Sequence, residues 1–166
     1  SWNPLRHIDP IGAICMLLFR VGWAKPVMVN PYYFKKPKRD MAIVSLAGPV
    51  ANFILAFLGV LVLQLLARFL PPMPVWFVNL LGSFLQTFIV LNIGLGVFNL
   101  VPIPPLDGSK IFLSFLPDRL YNDIMRHEQL GWIVLMVALV LGVLDTPINI
   151  VVNGVINGMF WLVSWI

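Results

Sequence analysis

Apolar residues in this chain run in long unbroken stretches, not in the alternating or one-faced patterns of a water-soluble fold. The clearest stretch covers residues 41–66 and a second covers 75–100. Each exceeds the roughly 20 residues that a helix needs to cross a bilayer. A short turn with Arg68 and Pro71-Pro72-Met73-Pro74 joins them. Two more apolar runs, 130–144 and 148–166, are separated at Asp145-Thr146-Pro147, and the first spans only if it begins about a turn earlier. Residues 109–129 carry Lys110, Asp118, Arg119, Asp123, Arg126, His127 and Glu128 and predict a solvated loop or interfacial helix. At the other end, residues 1–10 are polar and turn-rich, and 11–23 are apolar but short, which predicts a re-entrant or interfacial segment. Residues 24–34, proline-bounded and rich in β-branched and aromatic types, predict an extended strand at the membrane surface.

The pattern predicts an all-α integral membrane protein with about four transmembrane or near-spanning helices and a re-entrant or extended segment near the N-terminus. One membrane-embedded domain covers 1–166, divided into the surface segment 1–34, core helices with an Asp-bearing loop at 41–108, and C-terminal helices at 124–166. Composition agrees: 60% of residues are hydrophobic and 11% charged, far from the soluble norm of about 25% charged. The net charge of +4 therefore implies no nucleic-acid partner. Lys35, Lys36, Lys38 and Arg39 flank an apolar run, where cations set orientation and meet the lipid bilayer. This cluster and the 109–129 segment are expected on the cytoplasmic side. The lone Cys15 lies in an apolar stretch and reads as a buried thiol, with no disulfide framework. Ser1 is not an initiator methionine, and the chain is expected to start within a longer protein.

Chemistry concentrates at Phe98-Asn99-Leu100-Val101-Pro102-Ile103-Pro104-Pro105-Leu106-Asp107-Gly108. Prolines lack the backbone donor and disfavour helix in the residue before them, so the second span must stop or unwind here. Irregular backbone at membrane depth requires protein or a watered cavity around it, and an ionisable group there is a functional candidate. Asp107 could ligate a metal or relay protons, whereas Asp-Gly alone is a common turn pair. Gly48 and Pro49 read as helix packing, while the amides of Asn52 and Asn99 need partners and serve either as structural glue or as site contacts. His7, in a polar turn, reads first as a surface residue. His127-Glu128-Gln129-Leu130-Gly131 begins like H-E-x-x-H but places glycine at the fifth position, so no second imidazole joins the same helical face.

Four segments in order resemble the site-2 protease family of intramembrane zinc metalloproteases, in its compact prokaryotic branch. They are Asn-Pro-Leu-Arg-His-Ile-Asp-Pro-Ile-Gly at 3–12, Gly-Trp-Ala-Lys-Pro-Val at 22–27, Ala-Gly-Pro-Val-Ala-Asn at 47–52 and Asn-Leu-Val-Pro-Ile-Pro-Pro-Leu-Asp-Gly at 99–108. The resemblance implies a Zn2+ cofactor, with Asp107 as a metal ligand and Asn52, Asn99, His7, Pro104, Pro105 and Gly108 supporting the site or substrate. It also implies transmembrane protein substrates and a prokaryotic cell membrane, with Asp107 toward the cytoplasmic side. Residues 25–30 would receive an unwound substrate strand by backbone pairing. In the family an H-E-x-x-H helix precedes these segments and supplies two histidines and the general base. This sequence has two histidines and one glutamate, Glu128, and lacks that motif, so no catalytic residue is assigned and these 166 residues are expected to be inert alone. Two alternatives stay open: a pseudoprotease, and a small transporter or ion-conducting module using Asp107 as a cation or proton site. Oligomeric state is not legible in the sequence.

Overall fold

The structure, a computed structural model, describes residues 34–69 and 71–165. The readings placed on residues 1–33, including His7, Cys15 and the substrate-receiving edge at 25–30, lie outside the described residues.

Among the described residues there are six helices and no strand: α1 Pro37–Phe69, α2 Val75–Asn99, α3 Asp107–Leu113, α4 Asp118–Arg126, α5 Glu128–Val140 and α6 Asp145–Val163. Three of them, α1, α2 and α6, are long and apolar enough to cross a membrane. The chain is thus an all-helical integral membrane protein. At 33 residues, α1 is about 50 Å long and outreaches a hydrocarbon core of about 30 Å. Its surplus length holds the cationic start, which the sequence pattern placed before the helix. Exposed Ile43, Leu46, Ile54, Leu58, Leu91, Leu95, Ile150 and Leu162 give the three long helices the apolar outer faces that lipid requires.

The core lies where α1, α2 and α6 meet: Ala56 and Val60 from α1, Ile89, Ile93 and Val97 from α2, Val152 and Val163 from α6. Helices in lipid gain little from hiding apolar surface from one another, so close van der Waals approach must hold them. Two glycines permit it. A Cβ on Gly59 would stand 2.9 Å from Ile89 Cγ1, and one on Gly96 would stand 3.0 Å from the Phe53 ring. A larger residue at either position would push α1 and α2 apart.

Two expectations are corrected. The break before the last helix falls at residues 141–144, ahead of Asp145-Thr146-Pro147. Gly142, at φ 66°, adopts the left-handed conformation that ends α5, and Pro147 sits in the first turn of α6, where its missing N–H is harmless. The second correction concerns Asp107, which was expected in a loop and instead starts α3; the 109–129 segment, expected as a solvated loop or interfacial helix, is divided among α3, α4 and the start of α5. α5, at 13 residues and about 20 Å, remains too short to span.

Lys38 ties the start of α1 to the α3–α4 connection. Its ammonium donates to the Leu116 carbonyl and to Asp118 Oδ1 at 3.1 Å, and it stands 5.4 Å from the Tyr121 ring centroid. Burial, then the Glu128 carboxylate, raises the Tyr121 phenol above its usual pKa, so that ring stays neutral under the cation. Asp118 is 87% exposed, so its share of the tie is small. Asp118→Asn is expected to cost well under about 1 kcal/mol. Lys38→Ala also loses the carbonyl bond and the ring contact and is expected to cost about 1–2 kcal/mol. Thermal melts in detergent would separate the two.

Candidate metal-ligand site

The path to Asp107 begins where α2 ends. Leu100 N–H reaches the Val97 carbonyl at 3.1 Å and Val101 N–H reaches Phe98 at 3.1 Å, after which Pro102 has no donor to continue the ladder. Ile103 N–H turns back to the Val101 carbonyl at 2.9 Å, and Leu106 N–H closes a turn on Ile103 at 3.0 Å around the cis Pro104–Pro105 bond. The freed backbone groups were expected to need protein or a watered cavity around them; these local turns pair several of them within the protein. Leu106 is extended, at φ −63° and ψ 152°, and α3 starts at the next residue. Asp107 therefore occupies the first turn of a helix, where the free N–H groups favour a negative side chain. Ser109, fully buried, locks the start by donating its hydroxyl to the Leu106 carbonyl at 2.7 Å.

Gly108 is the tightest point of the bend. A Cβ there would overlap the carbonyl carbon and oxygen of Leu100 and lie 2.6 Å from the Val101 oxygen. The end of α2 and the start of α3 are thus pressed backbone to backbone. On the other side, a Cβ on Gly131 of α5 would come within 2.6 Å of both Cβ and O of Pro104. Sequence reasoning treated Gly131 only as the residue that spoils a zinc motif. Its place in the fold is to let α5 seat directly on the proline bend, and the only signal was a lone small residue in an apolar run.

α1 supplies the opposing wall. The ideal Cβ position of Gly48 lies 3.7 Å from Asp107 Oδ2, so the carboxylate rests over a point on α1 where no side chain intervenes. Gly48 lies about 10 Å along α1 from Met41, the first residue of the apolar run, so Asp107 faces the part of α1 near its cationic end. Asn52, one turn further along α1, shares that face and is half-buried. Asn99, half-buried, ends α2. Neither amide makes a side-chain hydrogen bond among the described residues. Here Asp107, Gly108, Pro104 and Pro105 belong to one bend, with Asn52 on the α1 face beside Gly48.

The Asp107 side chain is 35% exposed, and Lys110, one turn on, approaches its Oδ1 at 3.9 Å, the outer limit of an ion pair. Among the described residues no three His, Cys, Asp or Glu side chains come together to hold a metal ion. The donor set fits one position of a zinc centre and no more. It offers a single accessible carboxylate, with room before it because residue 48 has no side chain. A complete zinc centre would need further ligands from outside the described residues.

With this geometry in hand, the relatives are informative. The description "Peptidase family M50" matches residues 71–143, a range that contains the proline bend, Asp107 and Gly131. A Bacillus subtilis protein named "Putative zinc metalloprotease YwhC" is 41% identical over 138 residues, covering 83% of this chain and 63% of its own length. The "Putative zinc metalloprotease Rip2" of Mycolicibacterium smegmatis is 34% identical over 147 residues, covering 83% of this chain and 52% of its own. An archaeal relative, "Putative zinc metalloprotease MJ0611" of Methanocaldococcus jannaschii, is 31% identical over 101 residues, 61% of this chain and 48% of its own. The chain therefore spans between about half and two thirds of the length of these relatives. No solved structure matches it. By these matches and by its membrane-spanning helices, the chain belongs to peptidase family M50, the site-2 protease family.

Proposed function

We propose that this chain forms part of the metal-binding and substrate-handling region of an intramembrane zinc metalloprotease, with Asp107 as an anionic zinc ligand. One observation carries the reading: in an M50 chain, an accessible carboxylate stands on a braced proline bend beside the apolar run of α1, opposite a glycine that leaves room before it. Zinc held there would lower the pKa of a bound water to about 7 and polarise the scissile carbonyl. The chain's own residues do the positioning. Pro104, Pro105 and Gly108 fix the bend, Ser109 locks the helix start, and Gly48 keeps the space in front of the carboxylate clear. Asn52 and Asn99 offer amide groups to the backbone of an unwound transmembrane substrate, which must expose its own carbonyls before attack. The sequence contains no H-E-x-x-H, so these 166 residues alone are inert, and activity requires the family motif to be supplied by the full-length protein.

The full-length protein is expected to carry about one zinc per chain and to cleave a transmembrane substrate at the cytoplasmic side of a prokaryotic membrane. Removing the metal with a strong chelator should abolish cleavage, and added Zn2+ should restore it. Cleavage that survives complete zinc removal would defeat the proposal. Zinc retained without cleavage would identify a pseudoprotease.

A further inference from the structure

The first two turns of α1 and the end of α3 enclose an open groove of about 550 Å³ that the metalloprotease reading does not use. Its rim carries Lys36 and Arg39, and its walls are Ile43 and Leu46 of α1 with Ile111 and Phe115 from α3 and its end. We infer that this groove binds one anionic phospholipid, phosphate at the rim and acyl chain along the walls.

Charge complementarity selects the head. Lys36 and Arg39 are exposed, and among the described residues neither has an acidic partner. The acids nearby are already engaged. Asp40 accepts the backbone N–H of Lys36 at 3.0 Å, and Asp118 pairs with Lys38 at 3.1 Å. Lys38 lines the same rim but is held by Asp118 and the Leu116 carbonyl, which leaves two cations for a phosphate.

The walls select the tail. Phe115 is 84% exposed, Ile43 56% and Leu46 43%, an apolar surface that a soluble phosphate would leave wet. They continue directly into a membrane-spanning helix, and the cations stand just before its apolar run begins, at the level of head groups. α4 shows the contrast. Its Arg119 and Arg126 are interspersed with Asp118 and Asp123, and α5 follows at once with Glu128, so that surface is charge-balanced. The groove also shares α3 with Asp107: one end of the helix carries the carboxylate, and the residues at the other end form the lipid wall. A bound lipid would therefore brace α3 against α1. The binding itself does not depend on the metalloprotease reading.

The test is native mass spectrometry of the full-length protein released from nanodiscs of equimolar phosphatidylcholine and phosphatidylglycerol, counting retained lipids. One phosphatidylglycerol is expected to stay bound. Lys36→Gln and Arg39→Gln should each lower its affinity about fivefold, and the pair about 25-fold. Leu46→Trp, which fills the groove and leaves the charge intact, should also displace it. Arg119→Gln with Arg126→Gln removes the same charge from α4 and should leave retention unchanged. Equal retention of phosphatidylcholine, an equal loss in the α4 pair, full retention by Leu46→Trp, or displacement by added inorganic phosphate would each overturn the site.

Discussion

Gly108→Ala is expected to destabilise the protein by about 3 kcal/mol or more and to strip zinc from the full-length protein along with it. The added methyl group would overlap the carbonyl carbon and oxygen of Leu100 and sit 2.6 Å from the carbonyl oxygen of Val101. No rotamer change can relieve this, because the three nearest clashing atoms all belong to the backbone. Nor can the backbone move freely. Leu100 is held by its hydrogen bond to Val97, and the segment between is closed by turns at Ile103 and Leu106. Alanine therefore forces α3 away from the end of α2, and Asp107, one residue before, moves with it. Gly131→Ala makes a useful comparison. Its Cβ would also come within 2.6 Å of Pro104, but α5 is a separate short helix and can shift by rigid-body motion. Its cost should be smaller, with zinc retained. Thermal melts and metal content of both variants, made in the full-length protein, provide the check. A Gly108→Ala protein that melts like the parent and keeps its zinc would show that the bend is not as tight as described.

What could be read from the sequence, and what could not, follows from the range of the interactions involved. The spans that became α1 and α2 were legible because each is a single apolar run, and membrane insertion depends on local composition. The stop after Asn99 was legible for the same reason: Pro102 removes a donor wherever it sits. Asp107 stood out as a carboxylate beside membrane-grade residues. Other features depended on partners distant in the chain. Nothing local indicates that Gly48 faces residue 107, or that Gly131 seats against Pro104, because those contacts exist only once α1, α3 and α5 are assembled. The misplaced break before α6 has a different cause. Asp-Thr-Pro reads as a turn, yet the same three residues make a good first helical turn, and a single left-handed glycine upstream decides between the two. The groove at Lys36 and Arg39 was legible only as a basic cluster; one of its two apolar walls comes from α3 and its end, some 70 residues later.

Asp107→Ala is expected to separate metal binding from folding. The wild-type carboxylate contributes little to the metal-free fold: it is 35% exposed, and its one ion-pair contact among the described residues, to Lys110, is long at 3.9 Å. Such a pair is worth at most about 1 kcal/mol, so the metal-free variant should melt close to the metal-free parent. Zinc should behave quite differently. Loss of outer-shell partners already weakens zinc sites about 10–100-fold, and losing an anionic ligand outright should exceed that, leaving the variant empty at ordinary zinc concentrations. Because a ligand that binds only the folded state stabilises it, zinc at 100 times its dissociation constant should add about 2.7 kcal/mol to the parent and almost nothing to Asp107→Ala. That difference is read in a melt and needs no substrate. Cleavage should be lost in parallel. Asp107→Glu keeps the charge on a longer arm, with space toward Gly48, and should recover part of the zinc-dependent shift; Asp107→Asn keeps the shape without the charge and should recover little. Lys110→Gln removes the distant cation and should leave the shift intact. If Asp107→Ala keeps the full zinc-dependent stabilisation, the carboxylate is not a ligand, and a proton or cation role at the bend becomes the better account of its position.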